Sequence, residues 1–386
     1  MELNSGAEKD QLSKTVHRAA VGALFFLQGL CFASWASRIP TIQRVLHLSE
    51  AELGLVLLAL PAGLMISLPV SGFLITRIGS KKSVLGALVI YAVFLAGLGL
   101  SVTRLQLIVS LFLFGLFGNI VNISVNTQAV AVEGLYKRPI MASFHGLWSL
   151  AGFSGAAIGS FMIASGIIPL YHFLGISILC FLVVALSRNY LIAEDSGSDK
   201  SPGFVMPDKS LLFLGLITFC AMICEGTMFD WSGIYFQKVV KPDKEWLGAG
   251  YTAVMLTMAS GRFMADKFSH RFGLKAILQA SGALIAGGLL TSVLFPALIP
   301  ALCGFLLVGF GISSVVPLVY SVAGRSKILS PGLAITAVST IGFFGFLFGP
   351  PMIGMIAGLF NLRVSFTVVA FMGLCVSILS SFIKRS

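Results

Sequence analysis

Asn119, Asn122 and Asn126 recur three and four residues apart inside an apolar run, a spacing that sets their amides along one face of a helix. Exposing amides to hydrocarbon is costly, so this face either binds a solute by hydrogen bonds or ties the helix to a neighbour. Gln28 adds a further amide, and Trp35 and Trp148 add flat apolar faces. Stacking combined with directional bonds suits a hydroxylated, sugar-like solute. Tryptophan also anchors helices at membrane interfaces, which is the competing reading for Trp35 and Trp231. His145 begins a polar helical face that continues through Trp148, Ser149 and Gly152, where it either donates to a solute and titrates near neutral pH or serves as a packing histidine.

Glu225 lies near the middle of another apolar run, with Asp230 about one and a half turns later. A carboxyl in such a place can be neutral in one state and charged in another, which suits it to proton coupling or solute recognition; a structural hydrogen bond is the alternative. Asp230 is a second proton-coupling candidate. It can also pair with a basic group, and Arg38 is a plausible partner, although an interfacial anchor explains Arg38 equally well.

The elements that must position these groups follow from composition. The 386 residues are 57% hydrophobic and 11% charged, with a mean hydropathy of +0.96. Soluble domains carry roughly 25% charged residues, so lipid is the solvent here. The net charge of +11 is spread between apolar runs rather than gathered on one patch, which argues against nucleic acid as a partner. Cys31, Cys180, Cys220, Cys224, Cys303 and Cys375 all fall within apolar runs and read as small buried hydrophobes. No metal-ligand spacing is formed by His17, His47, His145, His172 and His270, and no cofactor or ATP-binding motif is present, so neither metal nor cofactor is expected.

Twelve runs are long enough to cross a bilayer: 19–38, 51–75, 83–101, 105–132, 139–163, 167–187, 210–236, 246–266, 274–294, 298–322, 331–357 and 364–383. In alternating connections, seven basic residues (Arg38, Arg44, Arg104, Lys238, Lys241, Lys244 and Arg363) fall on one side and the other 19 of the 26 on the opposite side. The positive-inside rule puts both termini in the cytoplasm. The expected division is a cytoplasmic tail at 1–18, a six-helix bundle at 19–187, a polar linker at 188–209, a second six-helix bundle at 210–383 and a short tail at 384–386. The 1–18 segment has no cleavage site before the first span, so that span reads as permanent.

An imperfect repeat relates the halves. Gly72-Phe-Leu-Ile-Thr-Arg-Ile-Gly-Ser-Lys-Lys82 follows the second span, and Gly261-Arg-Phe-Met-Ala-Asp-Lys267, then His270-Arg-Phe-Gly273, follows the eighth. At these segments the chain resembles the major facilitator superfamily, whose loop between spans two and three carries a Gly, an Asp four residues later, then basic and Gly positions. Gly72, Thr76, Arg77, Gly79 and Lys81 occupy those positions, with Thr76 in place of the usual acid; Gly261, Arg262, Asp266 and Gly273 resemble the second-half version and keep the acid. Trp35-Ala-Ser-Arg38-Ile-Pro40 and the Asn-rich fourth span are similar to an uncharacterised bacterial inner-membrane branch near the fucose and other sugar permeases.

The resemblance implies an all-α membrane protein of twelve transmembrane helices in two pseudo-symmetric bundles, and secondary transport driven by a proton or other ion gradient. The expected mechanism is alternating access for a small polar solute recognised by Asn119, Asn122, Asn126, Gln28, Trp35, His145, Trp148 and Glu225, in a chain that works as a monomer. Arg77, Lys81, Arg262, Asp266 and Arg271 would close the cytoplasmic side, with Glu133 receiving one of the basic groups and Arg38 acting at the other end. Efflux of an amphiphilic compound and a non-transporting sensor or scaffold are the alternatives. Gly and Pro in the eleventh span predict a bend near 347–352.

Overall fold

The computed structural model describes residues 2–136, 140–193, 209–324, 326, 329 and 331–383, with side chains described from residue 14 onward apart from 142, 266, 331 and 332. Most of the linker therefore lies outside the described residues, as do Lys137, Arg138 and the tail at 384–386. The helices are α1 (Glu2–Val45), α2 (Glu50–Leu57), α3 (Ala59–Leu100), α4 (Arg104–Glu133), α5 (Met141–Ala164), α6 (Pro169–Ser187), α7 (Lys209–Tyr235), α8 (Ala249–Phe272), α9 (Leu274–Leu294), α10 (Leu298–Ala323), α11 (Pro331–Leu359) and α12 (Leu362–Ser380).

Among the described residues, ten stretches are apolar and long enough to cross a membrane. One of them, Glu50–Leu100, is α2 running into α3, and α3 is itself divided at Gly79, whose φ of 83° and ψ of 158° break the helix at a single residue and make two crossings of the stretch. With α8, whose charged last turns lower its hydropathy, the crossings number twelve. Gly273, with φ 81° and ψ 148°, makes the equivalent turn between α8 and α9. Only glycine takes this backbone without strain.

Local chemistry sets several ends. Ser49 and Glu52 form a reciprocal capping box that starts α2, and Thr103 with Gln106 does the same for α4. Asn361 caps α12 through the amide of Val364. Elsewhere the helices outrun the expected breaks. α1 begins at Glu2, inside the expected tail, and continues through Pro40 to Val45, and α8 runs on to Phe272. α11 passes through Pro350 and Pro351 as one helix.

The chain forms two compact units. One contains Met1–Trp35, Ala59–Gly155 and Ile168–Ser201; the other contains Ala36–Leu58, Ala156–Ile167 and Pro202–Ser386. In the first unit, α3 and α4 pack backbone to backbone. A Cβ on Gly63 would strike the Phe112 carbonyl, and one on Gly115 would strike that of Leu60. Tyr91 stacks on Phe114 at 4.1 Å between ring centroids. In the second unit, Gly288 of α9 and Gly304 of α10 meet in the same reciprocal way. Tyr235 stacks on Phe366 and donates to the Ser292 carbonyl at 2.8 Å.

Candidate functional site

In the first unit the asparagine face divides by function. Asn119 is buried, and its Nδ2 donates to Ser67 Oγ at 2.7 Å and to the Leu64 carbonyl at 3.3 Å, binding α4 to α3. Two turns on, Asn126 Nδ2 donates to the backbone carbonyl and the side-chain oxygen of Asn122, at 2.8 and 3.2 Å. Both of these residues are partly exposed. Gln28 reaches from α1 to the Gly118 carbonyl at 3.2 Å, while its Oε1 is buried without a hydrogen-bond partner. Trp148 of α5 stacks on Phe32 of α1 at 6.4 Å, and Gly29 lets the two helices close at Trp148. His145 is exposed and lies edge-on to Phe25. Thus α1 carries Gln28 against α4 and Phe32 against α5, leaving Asn122, Asn126 and Trp148 partly open.

Trp35 does not share that openness. It is 1% exposed, and Trp231 in the second unit is 0% exposed; neither is an interface anchor, and both indole N–H groups lack a hydrogen-bond partner.

The second unit holds a buried ion pair. Arg262 of α8 donates from Nη2 to Glu225 Oε1 of α7 at 3.0 Å, with Glu225 7% exposed and the Arg262 side chain 24% exposed. The sequence placed Arg262 in a closing loop. Instead it lies inside α8, and because helical side chains lean toward the N-terminus its guanidinium reaches back to the middle of α7. Removing one partner from a buried pair of this kind typically costs 3–5 kcal/mol, since the other charge is left uncompensated.

The expected Arg38 to Asp230 pair is not formed. Arg38 is buried and donates to the Ile167 carbonyl at 2.5 Å, whereas Asp230 makes no ion pair among the described residues and lies within electrostatic reach of Tyr251. The Ile167 carbonyl, in the turn that follows α5, offers Arg38 a fixed acceptor that needs no second charge.

The other expected gating groups have local partners. Arg77 lies over the Phe73 ring at 5.5 Å, and Arg271 over Phe272 at 5.2 Å. Thr76, the residue standing where an acid was expected, turns its hydroxyl back onto the Gly72 and Phe73 carbonyls. Lys81 donates to the Leu191 carbonyl just beyond α6. Glu133 is the clearest departure: its Oε2 accepts from the amides of Ile140 and Met141, at 2.7 and 2.8 Å, and so caps the start of α5. Unpaired amides at a helix start attract a carboxylate, and this use was not foreseen. Asp266 lies in α8, and its side chain is outside the described residues.

One constellation was missed from sequence. Lys238 pairs with Glu50 at 2.5 Å, and α2 seats on α11, where a Cβ on Gly54 would come within 2.7 Å of the Pro350 carbonyl. The Ser49 to Glu52 capping box marks α2 as a helix start, but no local signal names α11 as its partner. Among the described residues, no group of three His, Cys, Asp or Glu is arranged to hold a metal ion.

Twelve spans arranged as two bundles, with paired glycine turns and charged groups held inside the membrane segments, define a polytopic carrier fold. The chain belongs to the major facilitator superfamily, whose family model matches residues 21–327. An uncharacterised MFS-type transporter of Yersinia pestis is 32% identical over 353 residues, 92% of each chain. Among solved structures, the nucleoside transporter NupG matches with a TM-score of 0.77 at 12% identity, covering 95% of this chain and 100% of NupG. The fucose:proton symporter FucP of E. coli matches with a TM-score of 0.64 at 16% identity, covering 97% and 100%. The protein is therefore a multi-pass membrane protein of a transporter family, and at these identities the two structures speak for the fold alone.

Proposed function

We propose that the protein is a secondary active transporter that carries a small polar solute across the bacterial cytoplasmic membrane by alternating access, coupled to protons through Glu225. Both termini are cytoplasmic in this reading, and a single chain is the working unit. The observation that carries it is the Glu225–Arg262 pair, two opposite charges 3.0 Å apart inside membrane-spanning helices. Intramembrane ionisable groups are costly and mark ion or solute routes.

In such a site, protonation of Glu225 weakens its hold on Arg262 and frees α8 to change its packing against α7. Asp230, five residues along α7, is a second station for the proton. In the first unit, Asn122, Asn126, Gln28 and Trp148 supply hydrogen bonds and an aromatic face for the solute. Asn119 is already engaged by α3 and serves the helix pair.

Flux into proteoliposomes loaded and diluted to impose a proton gradient tests the reading. Gradient-driven accumulation of a polar solute supports it. Outward flux only would support export, and binding without flux in either direction would support a sensor.

A further inference from the structure

We infer that Tyr251 relays protons to Asp230 from a water-sized cavity at the Arg44 end of α1, which makes its phenolic hydroxyl a working part of the proton route. This rests on the proposal that the chain is a proton-coupled transporter with Asp230 as a station, and it adds the path by which that station is reached.

The cavity lies wholly within the second compact unit. α1 lines it with Ser37, Thr41 and Arg44, α7 with Gly233, the π-helical turn Phe236–Val240 with Gln237, and α8 with Tyr251. Inside, about 10 Å³ is open to the centre of a water molecule, about what one molecule needs. Two polar atoms of the lining residues, Tyr251 Oη and Gln237 Oε1, are buried without a hydrogen-bond partner, and Tyr251 is 2% exposed. Buried polar atoms are costly in that condition. A single water that donates to Gln237 Oε1 and bonds Tyr251 Oη satisfies both.

Asp230 marks the inner end of the route. It precedes Gly233 by three residues and Gln237 by seven, so the three share one helical face, with Asp230 nearest the middle of α7. It is also within electrostatic reach of Tyr251. At the outer end Arg44 is exposed, so its charge sits in water and is screened.

Other titratable groups packed around α7 have partners or positions elsewhere. Glu225 is held by Arg262 of α8, Tyr235 donates to the Ser292 carbonyl, and Lys238 pairs with Glu50. Arg38 of α1 donates to the Ile167 carbonyl, and Asp266 is about four turns beyond Tyr251 along α8. α10 places Tyr320 near Glu225, α12 places Arg363 near Tyr235 and Cys375 near Cys220, and α11 has no ionisable side chain over Pro331–Leu359. Tyr251 is thus the hydroxyl placed to serve both the cavity and Asp230.

The transfer balances. A proton arriving on the cavity water passes to Tyr251 Oη as the phenolic proton passes to an Asp230 carboxylate oxygen, and the tyrosine ends neutral. The net change is one proton moved from bulk water to Asp230. Tyr251 and Asp230 are not hydrogen-bonded in this structure, so the carboxylate turns to the hydroxyl for the transfer. A contact that is made and broken avoids the leak that an unbroken proton wire would open.

The test uses the full chain reconstituted in lipid, a photoacid that releases protons in a flash, and time-resolved infrared spectroscopy of the protonated carboxylic C=O stretch. Asp230→Asn identifies the band that belongs to Asp230. Tyr251→Phe should slow the rise of that band about tenfold or more while leaving its final amplitude unchanged. Gln237→Leu, which removes the acceptor for the cavity water, should slow it as well. Tyr235→Phe, a tyrosine outside the cavity, should match the unmodified chain. A purely structural role for Tyr251 would lower the amplitude or the unfolding temperature without this selective change in rate.

No Asp230-dependent band, an unchanged rate in Tyr251→Phe, or equal slowing in Tyr235→Phe overturns the inference. Proton-driven accumulation in proteoliposomes with an unchanged rate in Tyr251→Phe would overturn it while leaving the transporter proposal standing. Slowed protonation of Asp230 in Tyr251→Phe, in a chain that gives no flux, would do the reverse.

Discussion

Gly79 and Gly273 adopt nearly the same backbone, φ 83° and ψ 158° in one and φ 81° and ψ 148° in the other, although 194 positions separate them in the chain. Each is the turn residue of one copy of the repeated segment. The two copies differ in side chains, with Thr76 in one and Asp266 in the other, yet both require a conformation open to glycine. Backbone geometry is thus the most faithfully repeated property of the two segments.

Gly79→Ala and Gly273→Ala should each destabilise the protein by about 1–3 kcal/mol, because both would force an L side chain into that region. A Cβ at Gly273 meets nothing within 4 Å, so the loss there would be purely conformational. Gly72→Ala, also in open space but within a helix, should be neutral or slightly stabilising. Thermal unfolding of the three purified variants ranks them, and an equal effect at Gly72 would contradict this account.

Asn119 and Asn122 should separate stability from solute affinity. Asn119→Leu removes the bonds to Ser67 and Leu64 and should cost about 0.6–1.7 kcal/mol, the range seen for interhelical hydrogen bonds in membranes. Asn122→Leu should insert and fold normally while weakening solute binding. Unfolding temperature and ligand affinity, measured on both, check the division.

Glu225→Gln keeps a hydrogen-bonding side chain beside Arg262 but cannot carry charge. Gradient-driven accumulation should fall about tenfold or more, as loss of 1.5–3 kcal/mol from a charge-assisted bond implies. Equilibrium exchange should fall much less. Equal preservation of both activities would remove Glu225 from the coupling step.

The seat of α2 on α11 should depend on close packing more than on charge. Gly54→Val places a branched side chain against the Pro350 carbonyl and should cost about 1–3 kcal/mol through overpacking. Lys238→Ala breaks an ion pair whose side chains are 37% and 25% exposed, a setting worth about 0.2–1 kcal/mol. A larger loss from Lys238→Ala would show that the pair, not the glycine contact, holds the two helices.

Much of the fold was legible because hydrocarbon imposes simple rules. Apolar length located the spans from α4 to α12 to within about three residues, except the end of α8, which runs six residues further, to Phe272, and the repeated Gly segments located the two tight turns. The helix through Pro40 was not legible, since a polar Trp-Ala-Ser-Arg-Ile-Pro stretch reads as a break until its neighbours bury it. The asparagine spacing put three amides on one face, but spacing alone could not tell that Ser67 would claim Asn119 and leave Asn122 partly open.

Sequence by itself determined that this chain is a twelve-span membrane protein, because the cost of exposing polar groups to lipid acts on composition and run length without reference to any partner. Tertiary structure alone decided which polar groups meet. Glu225 and Arg262 are 37 residues apart, Glu133 chooses helix-end amides over a cation, and Arg38 takes a carbonyl in place of Asp230. Such choices follow from which helices lie side by side and at what depth, and no local pattern of residues encodes that.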